Sequence, residues 1–209
     1  MKFELRDYQE AAIQAAIQAR KEGFRRLLVC LPTGAGKTVI FSELCRRARR
    51  NVLVLAHREE LLFQARTKIG IMTENQIKVG IEQGDNHCED DCKVVVASIR
   101  SLREDRLTKL VTQFDFGLII YDECHHAAAE DNMRVLRQTG AFDADWNGTL
   151  IGFTATPSRA DGIGLDRVFE TIVYDRNILD MIREGYLVPL RGYRINTDAD
   201  LHNLLGEEE

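Results

Sequence analysis

Five short runs of uninterrupted apolar residues punctuate the chain, at 27–31, 52–56, 94–97, 118–121 and 150–153. A strand wetted on one face alternates apolar and polar positions, whereas a continuous run fits a strand covered on both faces, as in a parallel sheet. Between the runs, apolar residues recur at helical spacing over 37–50, 59–72, 102–110 and 127–138. Ahead of the first run, Ile13, Ala16 and Ile17 share a helical face, with Asp7 as candidate N-cap and Gly23 as stop. Strand and helix alternate, which predicts an α/β fold: a doubly wound, mostly parallel sheet flanked by helices. Past the last run, the Gly- and Asp-rich stretch 158–166 reads as an irregular loop. A further strand is predicted at 172–174, a helix at 178–183 stopped by Gly185, and a last strand or edge extension at 187–195, interrupted by Pro189. The closing segment 198–209 is acidic and weakly periodic, and is expected to be mobile.

Composition narrows the class. With 209 residues, 44% hydrophobic and 29% charged, the chain can bury one generous core. The balance of 28 basic against 33 acidic groups, net −5, means that any contact with a polyanion must be local. Five cysteines, an odd number with three in or beside apolar runs, suit reduced buried thiols better than a disulfide framework. The opening residues lack an apolar leader core, and no apolar stretch approaches the ~18 residues that would span a bilayer. The expectation is a cytoplasmic protein without membrane contact.

The sharpest local signal is Pro32-Thr33-Gly34-Ala35-Gly36-Lys37-Thr38, directly after a predicted strand and opening a predicted helix. A bound triphosphate needs close backbone approach, which Gly34 and Gly36 permit, and amide donors at a helix N-terminus. It also needs a point cation, Lys37, on the outer phosphates and a hydroxyl, Thr38, on Mg²⁺. Leu31 stands where the general G-x-x-x-x-G-K-[ST] pattern has its first glycine. The second half of such a site is a carboxylate pair at the end of a neighbouring strand, and the 118–121 run leads straight into Asp122 and Glu123. Asp122 would hold Mg²⁺ partly through water, and Glu123 would orient and deprotonate the attacking water. Acidic residues end many strands simply because loops are solvated; the upstream loop gives this pair its meaning.

Asp122-Glu123-Cys124-His125 together with Pro32 to Thr38 resembles the DEAD-box-related motif set of the superfamily 2 helicases and translocases, in its DECH variant. Other segments resemble the same family in the right order. Leu5-Arg6-Asp7-Tyr8-Gln9 is similar to the segment that reads adenine, 55–61 to motif Ia, 96–102 to motif Ib, and Phe153-Thr154-Ala155-Thr156-Pro157 to motif III. The runs GFTATPSRADGIGL and GYLVPL resemble the branch of type III restriction-enzyme helicase subunits and related DNA translocases. The resemblance implies a RecA-like P-loop NTPase lobe with ATP and Mg²⁺ as cofactors. It implies that Arg6 and Gln9 contact the nucleotide, and that His125 ties the hydrolytic site to Thr154 or Thr156. His57, Arg58, Ser98, Arg100 and Arg103 become candidates for backbone contacts to nucleic acid, DNA by branch, with binding that weakens as salt rises.

Several signals carry less. Arg46, Arg47, Arg49 and Arg50 form a cationic stretch that most simply is a solvated helix end. His87, Cys88 and Cys92 lack a second Cys/His pair for zinc, so an acidic surface loop is the better reading. His125-His126 after two carboxylates invites a metallohydrolase reading, which leaves Lys37 unexplained. Phe142 and Trp146 are expected to pack a turn against the sheet.

The family motor needs a second RecA-like lobe bearing an arginine finger, worth ~10³ to 10⁵ in rate. The expectation is therefore residues 1–190 as the first lobe and 191–209 as an extension or the start of a linker to a second lobe in cis. Such a lobe is expected to be monomeric alone, to bind nucleotide and to hydrolyse it poorly. The alternative is a free-standing nucleotide-binding switch or adaptor.

Overall fold

Seven strands pair in parallel throughout, in the order β3-β4-β2-β5-β6-β1-β7. They are β1 (Arg26–Cys30), β2 (Asn51–Ala56), β3 (Val79–Glu82), β4 (Val94–Ser98), β5 (Phe116–Asp122), β6 (Thr149–Thr154) and β7 (Thr171–Asp175). The computed structural model describes residues 4–57, 59–156, 164–189 and 192. Its helices are α1 (Asp7–Lys21), α2 (Lys37–Arg47), α3 (Glu59–Met72), α4 (Glu104–Gln113), α5 (Glu130–Gln138) and α6 (Ile178–Arg183).

The unbroken apolar runs have a direct cause: alternate residues of each strand feed two different cores. Leu27, Val29, Val52, Val54, Val94, Val96, Ile120 and Phe153 join α1, α2 and α3 in one buried cluster. Leu28, Cys30, Leu53, Leu55, Val95, Ile119, Tyr121 and Leu150 join α4 and α5 in the other. At ~25 cal/mol per Å² of apolar area, these two layers supply the main stabilising force.

The structure departs from the sequence reading at several boundaries. The N-cap of α1 is Arg6, with Asp7 already helical, and Gln9 Oε1 accepts from the Arg6 amide at 3.0 Å. Helix α2 stops at Arg47 because Ala48 turns to an extended conformation, so Arg49 and Arg50 leave the helix. Helix α4 runs from Glu104 to Gln113 rather than over 102–110, and α5 starts at Glu130 after a three-ten turn at Cys124–His126. Strand β3 was not expected; it is a four-residue edge containing Gly80 and Glu82. Of the loop expected over 158–166, residues 164–166 are described and run into a three-ten turn at Leu165–Arg167; residues 187–189 and 192 are not in a strand, and the rest of both segments, the 190/191 boundary and the acidic end lie outside the described residues. Among the described residues, no helix is long and apolar enough to cross a membrane. The five cysteines are free, four of them buried.

Candidate functional site at the strand ends

The loop after β1 wraps one point. Gly34 and Gly36 take positive φ, +85° and +72°, and Gly36 is the N-cap from which α2 begins. The left-handed backbone at Gly36 favours glycine, and a Cβ there would stand 2.8 Å from Gln9 Nε2, so that side chain would have to shift. Tyr8 Oη donates to Ala35 O at 2.6 Å, binding α1 to the loop apex.

Lys37, the first residue of α2, is 8% exposed. Its Nζ donates to Leu31 O at 3.3 Å and lies 3.3 Å from Glu123 Oε1. The paired carboxylates reach it from β5, and β6 lies between β5 and β1. Leu31 N–H donates to Thr154 O at 2.9 Å, which stitches the loop to the end of β6. Asp122 is 8% exposed; burial first, then the charge of Glu123, raises its carboxyl to about 6, against the opposing pull of Lys37. Glu123 adopts a left-handed backbone, φ +52°, a conformation that costs a non-glycine residue ~1–3 kcal/mol. Its amide donates to Asp122 Oδ1 at 3.1 Å. The cysteines beneath the site are inert: burial pushes the Cys30 thiol up to about 12 and that of Cys124 well above its ordinary value.

His125 Nδ1 lies 3.4 Å from Glu123 Oε2. Thr154 Oγ1 instead accepts from the Thr156 amide and donates to Thr156 O, at 3.1 and 2.9 Å. Among the described residues, no hydrogen bond joins His125 to Thr154 or Thr156. Thr33 is exposed and Thr38 half-buried beside the loop.

The nucleic-acid candidates gather at the ends of β2 and β4. Arg100 Nη2 lies 3.4 Å from His57 Nε2, and the His57 ring is 5.1 Å from that of His126. Arg100 and Arg103 are exposed, whereas Ser98 is 5% exposed. Arg58 lies outside the described residues.

The discounted clusters have other tasks. Glu82, 3% exposed, accepts from the Cys88 amide and is paired with His87 and Arg106, so the acidic loop folds around an edge-strand carboxylate. Among the described residues, no group of three or more His, Cys, Asp or Glu side chains is placed to hold a metal ion. Arg46 and Arg47 both pair with Glu43, and Arg50 with Asp115. Trp146 Nε1 donates to Phe116 O at 3.3 Å, and Arg26 lies over the Phe142 ring.

Sequence reasoning did not single out Tyr8, Tyr186 or Leu187 for the site. Tyr8 sits inside the five-residue stretch that resembles the adenine-reading segment, and Tyr186 and Leu187 lie in the GYLVPL run; their sequence gives no sign of a contact with Arg6, 180 positions from Tyr186.

The fold and the loop-plus-carboxylate geometry define a RecA-like lobe. The chain matches the family described as "Type III restriction enzyme, res subunit" over residues 2–159, and belongs to it. It is 38% identical over 211 residues to the putative ATP-dependent helicase IRC3 of Saccharomyces cerevisiae, covering 96% of this chain and 30% of that protein. It is 37% identical to the putative mitochondrial ATP-dependent helicase irc3 of Schizosaccharomyces pombe, covering 95% of this chain and 34% of that one. The chain thus spans about a third of the length of these curated relatives. The helicase domain of Hef from Pyrococcus furiosus superposes with a TM-score of 0.63 at 24% identity, over 86% of this chain and 40% of that one. A nuclease-deletion mutant of the Type ISP restriction-modification enzyme LlaGI, in complex with a DNA substrate mimic, gives 0.64 at 16% identity, over 88% and 21%.

Proposed function

We propose that this chain is the ATP-binding N-terminal lobe of a nucleic-acid-dependent ATPase, a helicase or translocase on DNA that couples ATP hydrolysis to strand movement. The observation that carries this is Lys37, buried between Leu31 O and Glu123 Oε1, which joins the glycine loop to the carboxylate pair. The residues present fit ATP and Mg²⁺. The loop leaves a cradle at Gly34 and Gly36, and Asp122 is a desolvated carboxylate that a divalent charge would favour as the anion.

In this reading the amides of residues 33–38 and Lys37 Nζ hold the phosphates, while Thr38 Oγ1 and Asp122 hold the metal, in part through water. Bound Mg²⁺–ATP supplies the scissile anhydride and the divalent charge that offsets charge developing on the phosphoryl oxygens. Glu123 orients a water and takes its proton on the carboxylate. Arg6 and Gln9 meet the base. His125 tunes Glu123 by contact, and Thr154 and Thr156 continue from the end of β6 toward nucleic acid. His57, Arg58, Ser98, Arg100 and Arg103 contact its backbone.

Residues 1–190 form this lobe and 191–209 lead out of it, with a second RecA-like lobe in cis completing turnover. The names of the relatives support the motor over a nucleotide-binding switch or adaptor. We keep the cytoplasm as the proposed compartment and a monomer as the state of this lobe; fractionation of cells expressing the protein tests the first, the fission-yeast relative being described as mitochondrial.

Calorimetry tests the core of the proposal. The chain should bind ATP in the presence of Mg²⁺, and Lys37→Ala should abolish binding with the circular dichroism spectrum unchanged. Undiminished affinity in the variant refutes the site.

A further inference from the structure

The phosphate loop and the carboxylate pair lie at the C-terminal ends of the parallel strands; a different concave face lies at their N-terminal ends. The first residues of β5 and β6 meet the last turns of α1 and α2 there, around a cavity of about 620 Å³. Its floor is aliphatic, built from Ile17, Leu44, Leu118 and Ile151. Its rim is cationic: Arg20 and Lys21 from α1, Arg47 from α2, and Arg49 and Arg50 from the link to β2. Among the described residues no carboxylate lines it, in a chain whose acidic groups outnumber its basic ones by 33 to 28. Two of the cations are walls already fixed in place. Arg47 pairs with Glu10 and Glu43 at 2.8 and 2.6 Å, and Arg50 Nε donates to Asp115 Oδ2 at 2.7 Å. The Arg50 side chain lies across Gly117, where a Cβ would stand 2.7 Å from that of Arg50. The other three are not neutralised. Arg20 Nη2 donates to a neutral oxygen, Asn147 Oδ1, at 2.6 Å, and among the described residues no carboxylate pairs with Arg20, Lys21 or Arg49.

We infer that this cavity docks an acidic, aliphatic peptide segment of a partner protein, with Leu or Ile side chains on the floor and Asp or Glu side chains on Arg20, Lys21 and Arg49. Cations at a helix C-terminus are favoured by the macrodipole whether or not anything binds, which accounts for Arg20, Lys21 and Arg47. It does not account for Arg49, which lies beyond the end of α2, nor for the aliphatic floor inside the ring of charge. The combination selects the occupant. A fatty acid fills the floor but brings one anionic head to three cations. A nucleic-acid strand brings several phosphates but nothing aliphatic for the floor. A segment with carboxylates on either side of branched aliphatic residues meets both demands. Its charge-assisted bonds at the rim set register and steer the approach. Burial of its aliphatic side chains, at ~25 cal/mol per Å², supplies affinity. The ATP site is at the other end of the strands, so the inference stands apart from the reading of that site, and a docked segment leaves the phosphate loop open.

The probe is a fluorescein-labelled peptide, EELLEELLEE, titrated by anisotropy into the 209-residue chain at low salt. Two control peptides remove one demand each: QQLLQQLLQQ lacks the charge and EESSEESSEE lacks the aliphatic side chains. The chain should bind the probe roughly 10-fold or more tightly than either control. Lys21 and Arg49 are exposed, so Lys21→Glu combined with Arg49→Glu should leave the urea midpoint near that of the parent while weakening the probe roughly 10-fold or more. Equal affinity for EESSEESSEE reduces the site to a patch of charge, equal affinity for QQLLQQLLQQ reduces it to an apolar surface, and either overturns the proposal. So does a probe that fails to bind, or one that binds the double variant as well as the parent. A duplex DNA oligomer that binds more tightly than the probe and weakens equally in the double variant assigns the rim to nucleic acid, which overturns the peptide.

Discussion

Lys37 Nζ reaches Glu123 Oε1 at 3.3 Å although Lys37 opens the helix after β1 and Glu123 follows β5, two strands that are not neighbours. One ammonium thus faces two carboxylates of which the deeper, Asp122, is only partly compensated. Lys37 and Asp122 are equally buried, and the Asp122 carboxyl is raised by burial and by the charge of Glu123.

Glu123→Gln keeps the size of the side chain and an oxygen for Lys37 but loses the capacity to take a proton. In a longer protein completed by the proposed second lobe, ATP affinity should stay near normal while the steady-state rate falls by roughly 10² or more. A normal rate in that variant removes Glu123 as the base.

Asp122 carries a pH signature. An acid whose folded pKa is raised contributes stability that is complete below its unfolded value, near 3.8, and is lost as pH rises through about 6. In EDTA, Asp122→Asn should therefore be more stable than the parent at about pH 7.5, by up to ~2–3 kcal/mol, with the gap closing near about pH 4. Urea midpoints at the two pH values measure this, and an equal offset at both would show that Asp122 is not the titrating group.

Gly152, in the middle of β6, has no room for a methyl group. A Cβ there would stand 2.3 Å from Phe169 Cζ and 2.6 Å from Cys124 Sγ, in a layer where Phe169 is 4% and Cys124 0% exposed. Gly152→Ala should cost ~1–3 kcal/mol in denaturant unfolding. Because Cys124 follows Glu123, it should also slow the turnover proposed above; an unchanged midpoint would show that the layer yields freely.

Arg100 is exposed beside His57 at the strand ends. If it meets a phosphate, Arg100→Ala should lower the slope of log affinity against log salt for DNA by about 1, uniformly across sequences. A slope identical to the parent's places the nucleic acid elsewhere.

The parts of this fold legible in the sequence are those whose cause is local. Strands β1, β2, β4, β5 and β6 announce themselves because alternate residues enter opposite cores, leaving no polar position in the run. Strand β3 was hidden because its pattern is broken by Gly80, which makes room for Cys88 and Cys92, and by Glu82, buried only through pairing with His87 and Arg106. The premature end of α2 was equally illegible: Arg50 is drawn off by Asp115, 65 positions away. In the site, the loop, Lys37 and the carboxylates could be read because each motif is contiguous. The contact of Tyr186 with Arg6 could not, since only the turn at Gly185 brings the two together.

The position of β6 between β1 and β5 has a mechanical consequence. Adjacent strands sit ~4.8 Å apart, so the strand ends that carry the two halves of the site are held across about 10 Å of hydrogen-bonded sheet. The strand ends from which the loop and the carboxylate pair depart are therefore fixed by the sheet. In the motor proposed above, adjustment would fall to the loop over 31–36, to side-chain rotation or to groups that approach from outside, rather than to the sheet.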